Sequence, residues 1–173
     1  SVLQIRSGNN IFTTENGDES DAFRHFIGGM QHHVPSALVM FAPYVNSYRR
    51  LTQGASAPVN TKWGYDNRTT AFRVPRSEPA GRRIENRIPS SDANPYLALA
   101  ASLACGLIGM QKREMPDQPV GIAANEDEIE LPRGLLEAVE LFEQDEALTE
   151  LLGQPFTSTY AAIKRTEFET FIE

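Results

Sequence analysis

The densest chemistry in the sequence lies between Asn67 and Arg87. The run reads Asn-Arg-Thr-Thr-Ala-Phe-Arg-Val-Pro, a short polar loop, then Arg-Arg-Ile-Glu-Asn-Arg-Ile-Pro. Taken as two strands, it puts charge where a strand normally puts core. Side chains alternate between the two faces of a strand, with next-but-one residues roughly 6–7 Å apart. Arg83, Glu85 and Arg87 then share one face and Ile84 and Ile88 the other. In the earlier strand Phe72 and Val74 share a face and Arg73 takes the opposite one. Pairing through residues 75–82 sets Arg73 beside Arg83, Glu85 and Arg87. Arginines grip phosphate or carboxylate with two parallel hydrogen bonds, and a carboxylate among them can ligate a hard cation. The competing reading is a solvated sheet face carrying ordinary ion pairs, which are common and weak. The wider charge pattern favours a site. From Lys62 to Arg87 there are seven basic and three acidic residues, a local balance of +4 in a chain of net charge −7. A basic patch on an acidic protein suits a small anionic ligand better than a polyanion.

The elements that position this stretch must come from a chain of 173 residues, 40% of them hydrophobic. That suffices for one core or for part of a larger domain. The net charge and the absence of a Lys/Arg run argue against nucleic acid as a partner. The single cysteine, Cys105, sits in an apolar helical pattern, so no internal disulfide forms; a buried structural thiol in a reducing cytoplasm is expected. No secretory signal opens the sequence. Pro95–Met110 is strongly apolar but shorter than the ~20 residues of a membrane span, so no membrane partner is expected.

In chain order, Val2–Ile5 and Ile11-Phe12 read as a hairpin arm around the Ser7–Asn10 turn. Ser20 and Asp21 cap a helix from about Ala22 to His33, with Phe23, Phe26, Ile27 and Met30 on one face. His25, His32 and His33 lie on it. Adjacent histidines on a helix diverge, so partly exposed side chains are expected rather than a metal site. Pro35 reads as the start of a new, short helix that ends at Pro43. Gln53–Pro58 reads as a mobile loop, and Asn60–Trp63 as a strand leading into the arginine stretch. Asn94 and Pro95 are strong helix-start residues, opening a helix to about Met110 that is apolar nearly all round and so must be covered on several sides. After a polar, Pro-containing stretch with the acidic run Glu126-Asp127-Glu128, three helices are expected at 133–142, 145–152 and 156–171. The expected class is α+β: an antiparallel sheet presenting the arginine face, backed by helices.

Five segments in this order and spacing carry a resemblance. They are Asn46-Ser47-Tyr48-Arg49-Arg50-Leu51, Asn67-Arg68-Thr69, Phe72-Arg73-Val74-Pro75, Arg82-Arg83-Ile84-Glu85-Asn86-Arg87 and Ala93-Asn94-Pro95-Tyr96-Leu97. Together they resemble the C-terminal part of the catalytic domain of the glutamine synthetase family, and the likeness covers essentially all of residues 1–173. The resemblance implies a partial catalytic domain. The N-terminal β-grasp domain and the first part of the catalytic domain would lie upstream, and the chain alone would have no ligase activity. Family members use ATP and glutamate to make γ-glutamyl phosphate, which ammonia or an amine then attacks, with two Mg²⁺ or Mn²⁺ ions at the site. They assemble as double rings. By resemblance, Glu85 matches a metal ligand and Arg68 the arginine at the transferring phosphoryl group. Arg73 and Arg83 match arginines at the nucleotide phosphates, and Arg50 and Arg87 arginines that bind glutamate. The physics agrees, since phosphoryl transfer needs positive charge around the moving group and glutamate needs a cation for its α-carboxylate.

Two positions depart from the pattern. The flap matching Gly54–Pro58 carries a glutamate in ammonia-using members; here that position is Ser56. The tyrosine that is adenylylated in some bacterial members matches Ile129, so that control is expected to be absent. The resulting expectation is a glutamate–amine ligase that prefers a primary amine. The alternatives are an ammonia-using glutamine synthetase and a non-catalytic, assembling member of the family.

Overall fold

The computed structural model describes residues 8–52, 57–121 and 130–172. The expected arm strand at Val2–Ile5, the flap around Ser56, the acidic run and Ile129 lie outside them. The elements are α1 (Asp21–Phe41), a 3-10 turn (Val45–Arg50), β1 (Trp63–Tyr65), β2 (Phe72–Val74), a second 3-10 turn (Pro79–Gly81) and β3 (Glu85–Asn86). Four helices follow: α2 (Pro95–Lys112), α3 (Leu135–Gln144), α4 (Glu146–Leu152) and α5 (Gln154–Ile172). The α+β class expected from sequence holds.

Helix α1 begins where the caps predict. The Ser20 hydroxyl accepts from the Phe23 N–H at 3.2 Å and donates to the Ile11 carbonyl at 2.6 Å. Ile11 and Phe12 form a turn rather than a strand, because the Asn10 side chain accepts from the Phe12 N–H and the Thr13 N–H closes onto the Asn10 carbonyl. The helix does not stop at Val34. It runs through Pro35 to Phe41 as one element. A proline inside a helix costs about 3 kcal/mol. Against that, Val34, Ala37, Leu38, Val39, Met40 and Phe41 are all at most 1% exposed. Each large apolar side chain buried contributes about 1.5–3 kcal/mol, so tertiary burial outweighs the local break.

Helix α2 starts on the Asn94 side chain, which accepts from the N–H groups of Tyr96 and Leu97, with Pro95 in the first turn. Helices α1 and α2 pack directly on each other, with Gly28 and Gly29 against the residues around Cys105, Gly109 and Glu114. Helix α2 is covered by both α1 and α4, as expected, but not all round. Ala101, Ala104, Cys105 and Ile108 are buried, whereas Tyr96, Leu99 and Leu107 are exposed. Burial raises the Cys105 thiol pKa, consistent with a structural thiol. No helix among the described residues is long and apolar enough to cross a membrane.

His33 departs from the sequence expectation. It is buried, with Nδ1 2.8 Å from Asp145 Oδ2 and Nε2 3.3 Å from Glu114 Oε1. His32 is exposed and His25 intermediate. Among the described residues no group of three or more His, Cys, Asp or Glu could hold a metal ion.

The sheet has the order β1-β2-β3. β2 and β3 pair antiparallel as expected, but β1 joins β2 in parallel, with Trp63 opposite Phe72. A parallel pair usually needs a dozen or more connecting residues; here residues 66–71 suffice. Asp66 takes a left-handed conformation, φ 51°. The Asn67 side chain then accepts from both the N–H and the hydroxyl of Thr69, at 2.9 and 2.7 Å. Asn67 also donates to the Val120 carbonyl at 3.0 Å. The chain thus leaves the sheet, turns on one asparagine and returns. Arg68 sits at the outer end of that turn.

Candidate active site

Register places Arg73 opposite Glu85 across β2 and β3. Their side chains meet, with Arg73 Nη1 2.8 Å from Glu85 Oε2. The other terminal nitrogen of Arg73 donates to Asp66 Oδ1. These hydrogen bonds, Glu85 first and Asp66 second, raise the guanidinium pKa and keep it cationic. Arg73 Nε is buried and has no partner among the described residues.

The loop bearing Arg68 is held from below by Arg87. Nη1 of Arg87 donates to the Arg68 carbonyl and, at 3.0 Å, to the Thr70 carbonyl. Arg68 itself is exposed. Its backbone is therefore fixed while its guanidinium is presented outward, an arrangement suited to meeting an anion that arrives and leaves.

Arg50 ends the 3-10 turn Val45–Arg50, and its Nη2 donates to the Ile88 carbonyl. Burial lowers the Arg50 pKa, the nearby Asp92 raises it and the like charge of Arg87 lowers it again, leaving it below the usual value. Arg50 and Arg87 come from separate segments, joined where Arg50 bonds the carbonyl of the residue that follows Arg87.

The structure brings together Arg73 with Glu85, and Arg50 with the backbone just after Arg87. It does not bring Arg83 to the Arg73–Glu85 pair. Arg83 is exposed, and its Nη1 reaches the Gly81 carbonyl at 3.3 Å. The regular strand here is only Glu85–Asn86. The alternation of side chains holds across a strand, and residues 83 and 87 lie beyond it. The flap residue Ser56 lies outside the described residues.

Two positioning residues escaped the sequence reading. Asp66 holds Arg73. Asp92 accepts from the Ser47 hydroxyl at 2.8 Å and also bonds the Ser90 hydroxyl. The Ser-Ser-Asp run before Ala93 and Asn94 marks a turn, but no local signal shows that its carboxylate reaches a segment 45 residues earlier.

As a metal centre the set is incomplete. Glu85 offers one carboxylate, with Oε2 already on Arg73. A hard divalent cation takes about six oxygen ligands, and the described residues do not gather them. As an anion site the set is better furnished, with Arg50, Arg68, Arg73 and Arg87 on three segments.

Comparison with known proteins gives the context for this arrangement. The model of the glutamine synthetase catalytic domain matches residues 1–173. The chain is 41% identical over 177 residues to the glutamine synthetase of Thermococcus kodakarensis, which takes in 97% of this chain and 40% of that protein. It is 38% identical over 158 residues to the γ-glutamylethanolamide synthetase of Streptomyces coelicolor, covering 91% of this chain and 34% of that one. Among solved structures, an ADP complex of GmaS superposes with a TM-score of 0.82 at 34% identity, over 96% of this chain and 40% of the other. The chain spans 40% or less of the length of these relatives. On these matches the chain belongs to the glutamine synthetase family, within its catalytic domain.

Proposed function

We propose that the protein containing this chain is an ATP-dependent glutamate–amine ligase. The observation that carries the reading is that Arg50 bonds the carbonyl of the residue after Arg87, while Arg87 supports the Arg68 loop. Two guanidiniums buttressed by backbone carbonyls on adjoining segments are suited to one anion, with the exposed Arg68 on the loop that Arg87 supports. In this reading Arg50 and Arg87 hold the α-carboxylate of glutamate. Arg68 meets the phosphoryl group as it passes from ATP to the γ-carboxylate, where fixed positive charge stabilises the spread negative charge. Arg73 and Arg83 face the nucleotide phosphates, Arg73 exchanging Asp66 or Glu85 for phosphate oxygen. Glu85 contributes one ligand to a Mg²⁺ or Mn²⁺ ion whose other ligands come from outside the described residues. The amine nitrogen then attacks the γ-carbonyl carbon, phosphate leaves, and the nitrogen loses a proton. The protein would act in the cytoplasm, as a ring-forming homo-oligomer.

The nucleophile is a primary amine rather than ammonia. Ammonium must lose a proton to attack, and a flap carboxylate can hold the cation and accept that proton. Ser56 carries no charge, is a poor base near neutral pH and leaves room for a carbon chain on the nitrogen. Likeness to a γ-glutamylethanolamide synthetase supports this reading; likeness to a glutamine synthetase supports the ammonia alternative. Steady-state assays of the full-length protein with ammonium, ethylamine, ethanolamine and putrescine decide between them. An amine is expected to give the highest kcat/KM, and Ser56→Glu to shift the preference toward ammonium. A kcat/KM highest for ammonium and unmoved by Ser56→Glu would restore plain glutamine synthesis.

A further inference from the structure

Arg50 and Arg87 are carried by separate pieces of chain, and something must hold those pieces in register. Arg50 closes the 3-10 turn Val45–Arg50; Arg87 follows β3 directly. The turn is organised by Ser47, whose hydroxyl oxygen accepts from the Tyr44 N–H at 3.1 Å. The same hydroxyl donates to Asp92 Oδ2 at 2.8 Å. The other oxygen of Asp92 bonds the Ser90 hydroxyl, and the Ser90 N–H is tied to the Phe41 carbonyl at the end of α1, 2.9 Å away. One carboxylate therefore spans the Arg50 turn and the segment following Arg87.

The charge fits the same role. Arg50 and Arg87 are like charges with part of Arg50 out of water: its Nε is buried without a partner among the described residues. Burial pushes the Asp92 pKa up, but the bonds from Ser90, Ser47 and its own N–H, with the field of Arg50, hold it below the usual carboxylate value. Asp92 is thus an anion at neutral pH beside the Arg50 guanidinium.

We propose that Asp92 is a positioning residue for the substrate carboxylate: it clamps the Arg50 turn to the segment after Arg87 and sets a negative charge beside Arg50, so that the two arginines are held in register for one anion. The proposal rests on the reading of Arg50 and Arg87 given under Proposed function. Asp92 does not touch the substrate. Its loss therefore weakens glutamate binding and leaves the chemical step largely intact.

The test uses the full-length protein with Arg87→Ala, Asp92→Asn, Asp92→Glu and Ser47→Ala, measuring KM for glutamate and for ATP, kcat, and Tm. Arg87→Ala is the reference for the underlying reading. Asp92→Asn keeps the shape and removes the charge; it is expected to raise KM for glutamate about tenfold, with kcat within about threefold and KM for ATP unchanged. Ser47→Ala removes one strut and should raise KM for glutamate by about threefold. Asp92→Glu keeps the charge and should recover part of the loss. If Arg87→Ala leaves KM for glutamate unchanged, the arginine reading fails and the proposal with it. If Arg87→Ala raises KM but Asp92→Asn does not, or Asp92→Asn lowers kcat and Tm with KM unmoved, the clamp is wrong while the arginine reading survives. Should Asp92→Asn not fold, the Ser47→Ala and Asp92→Glu values decide by the same criteria.

Discussion

Gly29→Ala is expected to destabilise the protein by about 3 kcal/mol or more, enough to lower Tm by roughly 10 °C in a domain of this size. The argument is steric. A Cβ on Gly29 would overlap the Cys105 carbonyl oxygen and stand 2.6 Å from both Cα and N of Gly109. All three are backbone atoms, so no rotamer change relieves the clash. From the other side, a Cβ on Gly109 would overlap the His25 carbonyl oxygen and stand 2.5 Å from Gly29 Cα. The two helices touch backbone to backbone at this crossing, and a methyl group must push them apart. That opens the layer formed by Ile27, Met30, Cys105 and Ile108, each at most 2% exposed. The gain from replacing glycine by alanine inside a helix is about 1 kcal/mol, which is smaller than the packing lost. Gly134 is the control. It caps α3 in an extended conformation, and nothing lies within 4 Å of where its Cβ would be. Gly134→Ala should cost no more than about 1 kcal/mol. Urea unfolding of both variants measures the difference; a Gly29→Ala protein as stable as Gly134→Ala would mean that α1 and α2 do not cross so closely.

What could be read from the sequence followed the range of the forces involved. Ser20 and Asn94 announce their helices because a cap acts within three residues, and both side chains make the bonds their types predict. Arg73 beside Glu85 was legible because strand alternation and a short connection fix the register. Arg83 is exposed as Glu85 is, but its bond to the Gly81 carbonyl keeps it off the Arg73–Glu85 pair, a detail that strand alternation does not supply. Pro35 looked like a boundary because its cost is local and the burial that overrides it comes from the rest of the core. The roles of Arg50, Arg68, Arg73, Arg83, Glu85 and Arg87 came from resemblance. What the coordinates add is the mechanical layer: Asn67 shaping the Arg68 loop, Arg87 propping it, and Asp92 joining two segments.

His33 is the clearest case of a residue whose surroundings no local pattern could supply, since its partners lie 81 and 112 positions away. Those surroundings predict a pH-dependent stability. Burial alone would drive the proton off His33. The hydrogen bond and charge of Asp145, with the charge and hydrogen bond of Glu114, outweigh burial and raise its pKa above 6.5. Asp145 moves the opposite way: burial pushes it up, but His33, the Leu148 N–H and Ser36 bring it below 3.8. The other ionisable groups facing the cluster are His32, with Nδ1 3.7 Å from Glu114, and the protonated thiol of Cys105. A raised histidine contributes stability that is complete below its unfolded value and is lost as pH rises through the folded one. A depressed aspartate contributes stability that is present above its unfolded value and is lost as pH falls through the folded one. The pair is therefore strongest between about pH 4 and 6.5, and weakens as alkali deprotonates His33. Asp145 also caps α4, accepting from the Leu148 N–H at 3.0 Å. Asp145→Ala removes the cap and leaves a buried imidazolium with Glu114 alone, at a cost of about 3–5 kcal/mol near pH 6. Once His33 is neutral the cost should shrink to that of the cap and one neutral hydrogen bond, about 2 kcal/mol. Urea unfolding of the two proteins at pH 6, 7.5 and 9 tests this as a gap that narrows with rising pH. Parallel stability curves across that range would show that His33 carries no proton in the folded protein and that the cluster is held by neutral hydrogen bonds.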